Sequence, residues 1–439
     1  MYWFILLFPI LIYPWGFDPY YTDPKTNYLY LFVFGSWLYI LFKRKFRTLF
    51  PTKKYNLTVY TLFVFICLIE VSTAFSKYQH TAIYGLITRK EGLITFFSYC
   101  SIFLFSYRLL GKTRWNKTIS GLAIMSLVVS IYGILQHYQL DFLPRNSMMR
   151  NYTGTYAFFD NPNFFGSYSV LVFLSAITCY ITAETRKTMF LYYTVICFVF
   201  VALIFSNTRS AYLGVFCGLL FLTFFAVIKI KFLWKKWATI LITLVLLLLF
   251  INMSENGRYN ERIKSLVSDS FNVVSQHSTG REGSSRYFIW EKSLPLIPEY
   301  FWIGSGPDTF LFIFPATEEE LMTYLSGQRV DKAHNEYLQM AVTLGVPALL
   351  TYLFFIFLIL RKAFRAVRMS SGNEMLFLYG LISIVIGYLV QAFFNISTVP
   401  VAPLYWAILG ITLAKSEQLL KHVALQKSKL LDRGKDQIA

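Results

Sequence analysis

Apolar runs of about 17 to 25 residues recur along the whole chain, and each is long enough to cross a hydrocarbon core of about 30 Å as a helix. Of the 439 residues, 56% are hydrophobic and only 15% are charged, whereas a soluble domain usually carries about a quarter charged residues. A soluble fold could not bury so much apolar surface. The sequence therefore predicts an all-α integral membrane protein in which lipid is the main solvent.

The apolar runs predict a bundle of about twelve transmembrane helices. The predicted spans are 1–15, 27–42, 57–75, 93–108, 118–138, 163–183, 189–206, 210–228, 237–253, 336–360, 375–394 and 400–414. The first span is unusually short and is interrupted by Pro9 and Pro14.

One connection stands apart because it is about 80 residues long while most others are short. It divides the chain into helices 1 to 9 (1–253), a large extracytoplasmic loop (254–335), helices 10 to 12 (336–414) and a basic cytoplasmic tail (415–439). Within the loop, 258–274 and 284–297 have helical apolar spacing, and Thr317 and Glu320 have the spacing of a capping box. Because long loops usually carry function, this small helical cap is where chemistry is expected.

The formal net charge of +18 is explained by membrane topology and not by a nucleic-acid partner, because basic residues gather in alternate connections. These connections lie at 43–54, 108–117, 186–187, 229–236, 361–368 and from 415 onward. By the positive-inside rule they are cytoplasmic. Both termini are then cytoplasmic, and the long loop faces away from the cytoplasm.

His334 differs in context from the other histidines because it begins the segment HNEYLQMAV at the predicted start of the tenth helix. The positive end of a helix disfavours an imidazolium, so this side chain should stay neutral near pH 7 and be able to accept a proton. A polar helix cap at the membrane interface is the alternative interpretation. Position alone leaves both open.

Arginines on the predicted outer side are a second set of candidates, among them Arg89 in the segment GLITRKEGL. Arg209 lies in a short connection between two apolar runs, where a cation is costly unless it pairs or reaches the headgroups. A planar guanidinium suits bidentate contact with phosphate oxygens. Arg286 and Trp290 are four residues apart and share one helix face, offering a cation beside an aromatic surface for a sugar or lipid. Snorkelling of Arg209 and ordinary packing of the other helix are the alternatives.

Two further patterns are weaker. Gly304 and Gly306 precede Pro307 and indicate a turn, but a lone G-x-G does not specify a phosphate loop. Asn163, in FDNPNFFG, comes just before an apolar run, which is usually a helix start.

Taken in order and spacing, these motifs resemble the O-antigen ligase and polymerase family of bacterial membrane glycosyltransferases. The resemblance rests on R-x-x-x-W at Arg286 and Trp290, G-x-G-x-x-x-F ending at Phe310, and H-N-x-x-L at His334, Asn335 and Leu338 with Gly345 downstream. It implies an undecaprenyl-diphosphate-linked glycan donor and an acceptor hydroxyl at the outer face of the bacterial cytoplasmic membrane.

The resemblance also implies roles for individual residues. His334 matches the family's essential loop histidine, Arg286 the loop arginine and Arg209 the arginine between two central helices, while Arg89 and Asn163 match weaker patterns.

Neither a cofactor nor a metal is expected, because the lipid diphosphate is already a good leaving group. The motifs do not separate ligase from polymerase, and a surface-polysaccharide polymerase is slightly favoured.

A lipid-linked oligosaccharide flippase or another transporter is the competing prediction, since such proteins also have about twelve helices. Transporters usually place polar and ionisable groups near the midplane of the membrane. Here the outward polar residues concentrate in one loop, which favours the enzyme.

Overall fold

A computed structural model describes residues 1–13, 21–49, 56–111, 114–145, 147–150, 152–227, 230, 233–257, 259–260, 264 and 282–436. Throughout these residues every regular element is helical and none is a strand, so the predicted all-α class is confirmed. Helices are numbered here in chain order within these ranges.

The longer helices form the body of the molecule. They are α2 (Thr22–Phe42), α4 (Leu57–Ala74), α6 (Leu93–Arg108), α7 (Trp115–His137), α9 (Pro162–Thr182), α10 (Arg186–Phe205), α11 (Arg209–Leu222), α12 (Leu233–Ser254), α18 (Val346–Arg368), α19 (Gly372–Phe393) and α20 (Ala402–Asp436). Helix α11 continues into a π-helical turn at Thr223–Val227.

Shorter helices connect these or lie at one end of them. They are α1 (Tyr2–Leu7), α3 (Phe46–Leu49), α5 (Gln79–Tyr84), α8 (Ser147–Arg150), α13 (Glu282–Ser293), α14 (Leu296–Glu299), α15 (Phe310–Ile313), α16 (Glu318–Leu325) and α17 (Glu336–Thr343).

Seven helices of the described chain are long and apolar enough to cross a membrane, namely α4, α7, α9, α10, α12, α18 and α19. Helix α6 and the stretch Arg209–Phe225 are apolar but shorter. The prediction of a helical membrane protein is therefore confirmed, whereas the count of about twelve spans is not.

The predicted span 1–15 is interrupted at Pro9, as its sequence indicates. Helix α1 gives way to a short 3-10 helix at Phe8–Ile10, and Leu11 is already extended with a ψ of 123°. Pro9 has no N–H to donate, so the helix loses a backbone hydrogen bond there. Residues 14 and 15 lie outside the described part of the chain.

The predicted span 336–360 is also divided, into α17 and α18. Gly345 has a φ of 89° and Pro347 occupies the first turn of α18. A positive φ suits glycine, and proline is well tolerated in a first helical turn, so the two residues end one helix and begin the next. His334 consequently precedes an eight-residue helix and not a membrane-length one.

Helix α9 lies at the centre of the bundle, and its most apolar 18-residue window is 100% buried. It packs against α7, α10, α11 and α19. Small residues let α11 and α19 approach closely, since a Cβ added to Gly214 would lie 2.6 Å from the carbonyl oxygen of Gly387. This packing fixes the start of α11, where Arg209 lies.

Helices α13 to α17 form a small layer with its own apolar core. That core contains Phe288, Ile289, Leu296, Phe310, Leu321, Val330, Ala333, Leu338 and Val342. The predicted capping box is present, with Thr317 and Glu320 bonding each other's backbone at the start of α16. Most of the predicted helix at 258–274 lies outside the described residues.

Candidate active site

Residues 331–335 form the segment that carries His334 into α17. Asn335 caps this helix, because its Oδ1 accepts hydrogen bonds from the N–H groups of Tyr337 (3.0 Å) and Leu338 (3.1 Å). His334 has a φ of 49°, a left-handed conformation that non-glycine residues seldom adopt and that often marks functional sites. The alternative interpretation of His334 as the helix cap is therefore wrong, since Asn335 fills that position.

The imidazole of His334 is neutral and can accept a proton. The pKa of His334 is lowered to about 3, and burial is the largest cause. The positive charges of Arg286 and Arg89 also lower this pKa, and they outweigh the opposite effect of Asp331. Its Nδ1 is buried and meets no hydrogen-bond partner among the described residues. The side chain is therefore neutral at pH 7, and burial and two guanidinium groups cause this.

Arg286 and Arg209 lie close enough to repel each other. Burial and then the charge of Arg209 lower the pKa of Arg286 to about 10, which leaves it charged at neutral pH. Arg286 lies on α13 and Arg209 is the first residue of α11. Two guanidinium groups this near each other could both contact the oxygens of one diphosphate.

The turn that presents Arg209 is tightly held. Thr208 donates to the carbonyl oxygen of Pro162 (2.9 Å), and Asn207, with a φ of 56°, donates through Nδ2 to that of Thr153 (2.8 Å). These bonds attach the turn between α10 and α11 to the segment before α9. Arg209 is thus placed by hydrogen bonds from the two preceding side chains to the stretch 153–162.

Arg89 is oriented by a carboxylate. Its Nε and one terminal nitrogen contact the two oxygens of Asp331 at 2.6 and 3.1 Å, a bidentate geometry. Its guanidinium carbon also lies 5.8 Å from the ring centre of Phe164. Although burial opposes ionisation of Asp331, Arg89 prevails and holds the pKa of this carboxyl below its usual range.

Trp290 supports the histidine segment directly. Its indole N–H donates to the carbonyl oxygen of Ala333 at 2.9 Å, one residue before His334. The ring also packs on Phe393 and Phe394, with centroid distances of 5.7 and 6.0 Å. The Arg286 and Trp290 face of α13 therefore meets both the histidine segment and the end of α19.

Gly304 and Gly306 have a packing role. The N–H groups of Ser305 and Gly306 donate to the carbonyl oxygens of Val342 (3.1 Å) and Thr343 (2.9 Å). A Cβ at Gly304 would lie 2.3 Å from the oxygen of Thr343, so only glycine permits this approach. The motif attaches its turn to the end of α17.

Asn163 lies in the first turn of α9, where Asn161 is the cap. Its carbonyl oxygen accepts from Ser167 Oγ (2.9 Å) and Asn395 Nδ2 (3.2 Å). The next residue, Phe164, lies beneath Arg89. Asn163 is therefore next in sequence to the aromatic ring that contacts Arg89.

The sequence reasoning missed a buried ion cluster beside the histidine. Lys332 Nζ lies 2.7 Å from Glu91 Oε2 and 2.8 Å from Asp308 Oδ1, with side-chain exposures of 3%, 6% and 0%. The two carboxylates outweigh burial and raise the pKa of Lys332, so the ammonium stays charged. Asp308 lies within the G-x-G-x-x-x-F motif, which was the local signal for it.

A second missed residue is Glu336. Burial, and then the charge of Glu91, raise its pKa to about 8. Its Oε2 has no hydrogen-bond partner in the described chain, and it lines a cavity of about 30 Å³ together with Glu91, Asp308 and Lys332. This carboxyl is largely protonated at neutral pH.

The helices and this site define a polytopic membrane protein with a histidine-and-arginine site at one end of its bundle. Residues 193–353 match the family model of O-antigen ligase. The matched stretch includes Arg209, Arg286 and His334, and it supports the family that the motifs predict. No curated protein matches the chain.

The family gives the coarse function. It indicates a membrane enzyme of the glycosyltransferase kind, acting on lipid-linked glycans as a ligase or polymerase. With the apolar helices, it also indicates a bacterial inner-membrane protein.

Proposed function

We propose that the chain transfers or polymerises a glycan from an undecaprenyl-diphosphate donor onto an acceptor hydroxyl, at the outer face of the membrane. The observation that carries this proposal is the neutral His334, with an unpartnered buried Nδ1 and a pKa depressed partly by Arg286 and Arg89. A neutral base beside guanidinium groups suits a reaction that needs one proton removed and one diphosphate held.

The proposed step balances as follows. His334 accepts the proton of the acceptor hydroxyl while the oxygen of that hydroxyl forms a bond to the anomeric carbon of the donor. The bond from that carbon to the lipid diphosphate breaks, and the diphosphate departs with the electron pair. Arg286 and Arg209 stabilise the charge that builds on the departing oxygens, and Arg89, oriented by Asp331, adds to the positive charge of the site.

Donor binding also activates the base in this mechanism. With a pKa of about 3, the resting imidazole is a weaker base than one titrating near pH 7. A bound diphosphate places negative charge against the arginines that depress this pKa. The pKa of His334 therefore rises when the donor arrives, which couples proton removal to the presence of the lipid substrate.

We propose that no metal takes part, because the guanidinium groups supply the positive charge that a diphosphate requires. Purified protein should then keep its transfer rate in EDTA. A rate that falls with EDTA and returns with a divalent cation would contradict this part of the mechanism.

We favour a polymerase of surface polysaccharide over a ligase, and gene deletion separates the two. Loss of a polymerase leaves short lipid-linked units that accumulate, whereas loss of a ligase leaves long polymer that is formed but not attached. A flippase would instead leave its lipid-linked substrate on the cytoplasmic side. The family match favours the two enzymatic outcomes.

The proposal also requires the loop 254–335 to lie outside and the tail from 415 to lie in the cytoplasm. A cysteine introduced at Ser278 should react with an impermeant reagent in intact cells, while one at Ser428 should not. The reverse pattern would place the histidine on the wrong side for this function.

A further inference from the structure

Two neighbouring ion pairs of opposite sense join the segment before His334 to the turn before α6. Arg89 pairs with Asp331, with the closest contact at 2.6 Å. Two residues further along the turn, Glu91 pairs with Lys332 at 2.7 Å. A cation and an anion on one segment thus face an anion and a cation on the other, which specifies one register of the two segments.

A third segment joins the same cluster through Asp308. Its Oδ1 contacts Lys332 at 2.8 Å, and its Oδ2 accepts from the backbone N–H groups of Leu86 (2.7 Å) and Glu91 (3.2 Å). Tyr99, on α6, adds a hydrogen bond to the other oxygen of Glu91 at 3.2 Å. Lys332 therefore joins the turn before α6 to the turn that contains Asp308.

We propose that Lys332, Glu91 and Asp308 are positioning residues, which hold His334 at a fixed distance from Arg89. This inference rests on the proposed function. None of the three needs to touch the substrate, because Lys332 fixes the backbone two residues before the base and Glu91 fixes the backbone two residues after Arg89.

Apolar packing could not fix the distance between His334 and Arg89 as sharply. A buried ammonium left without its carboxylates is costly, so displaced registers of the two segments are penalised. Apolar side chains can shift against one another at lower cost. Catalytic groups must keep near-attack distances, and a displacement of about 1 Å can cost about 100-fold in rate.

The test is a variant that removes all three charges together, Glu91→Gln with Asp308→Asn and Lys332→Met. Removing Lys332 alone would leave two buried carboxylates without their cation and destabilise the fold. Removing one carboxylate alone would leave Lys332 paired with the other, so the triple variant is needed to remove the whole cluster. In the triple variant, kcat should fall about 10- to 100-fold while KM for the lipid donor stays nearly unchanged. Hydrogen–deuterium exchange should quicken in the peptide covering 329–335.

The matched control is Lys292→Met with Glu320→Gln, which removes an ion pair of the same layer whose side chains are 32% and 29% exposed. It should leave kcat within about two-fold of wild type, since exposed pairs contribute little. A second variant, Glu91→Asp, keeps the charge but shortens the side chain. It should lower kcat by less than the triple variant does.

Each outcome has a separate meaning. A triple variant with wild-type kcat and wild-type exchange would overturn the positioning role, and so would a loss confined to KM. If the triple variant fails to insert, a wild-type kcat in Glu91→Asp would overturn it instead. If wild-type protein shows no glycan transfer, the proposed function fails, whereas unchanged exchange at 329–335 would still reject the positioning cluster by itself.

Discussion

Helix α9 and the segment 331–335 are both largely buried, yet they are held in place in different ways. The most apolar window of α9 is 100% buried, and its Ser169 and Ser175 donate to carbonyl oxygens of their own helix at 2.8 and 2.7 Å. The segment 331–335 instead depends on Arg89 and Glu91, which are more than 200 residues away in sequence. Apolar burial is satisfied by many neighbours, whereas buried charge requires particular partners in particular places.

The largest expected effect is at His334, and it tests whether the polar segment carries the chemistry. His334→Ala should lower transfer by about 10²- to 10⁴-fold, the usual worth of general base catalysis. Because Asn335 and not His334 caps α17, insertion and donor binding should persist. Transfer is measured with a lipid-linked donor, and membrane insertion by expression and protease protection. A near-normal rate in His334→Ala would remove the base from the mechanism.

Next in size are Arg286→Lys and Arg209→Lys, which keep the charge but lose the planar, two-pronged guanidinium. We expect each to lose about 10- to 100-fold in kcat, somewhat less than complete loss of a donor to a developing anion. Arg150→Lys is the control, because Arg150 is exposed and donates a 3.3 Å hydrogen bond from its Nε to the backbone oxygen of Arg145. Full activity in both test variants would mean that these arginines only anchor helices at the headgroups.

The same contrast explains what the sequence could predict. Long apolar runs are a local signal, so α9 and its neighbours were predicted within a few residues of their ends. His334, Arg286, Arg209 and Arg89 were each recognised by motif, and the structure brings them together, although their roles stay predictions. The pairing of Glu91 with Lys332 spans 241 residues, and no local pattern indicates it. The break at Gly345 did have a local signal, the sequence Gly-Val-Pro, which the apolar run obscured.

A smaller effect should appear in the pH dependence. The base must be unprotonated, so activity is retained above its pKa and lost as pH falls through it. In the free enzyme the pKa of His334 is about 3, so kcat/KM should show no acid limb from this group above about pH 4. Donor phosphate charge raises the pKa, so the acid limb of kcat should lie at a higher pH. If the acid limbs of kcat and kcat/KM fell at the same pH, activation of the base by the donor would be contradicted. As a control, the residual rate of His334→Ala should show no such difference between the two pH profiles.

The smallest effect is expected in α9 itself, at Ile177→Val. Ile177 is fully buried, and removing one methylene from a packed core typically costs about 0.5 to 1.5 kcal/mol of stability. The change alters no charge, and the neighbouring apolar side chains can absorb a small volume loss, so kcat should stay at the wild-type value while the melting temperature in detergent falls slightly. The sharper comparison is with the triple charge variant at the Lys332 cluster, which should show the opposite pattern of a large loss in kcat. If Ile177→Val instead lowers kcat about ten-fold at unchanged stability, the centre of the bundle and the segment 331–335 are coupled. The distinction between a core that accepts small volume changes and a site that requires particular charged contacts would then be wrong.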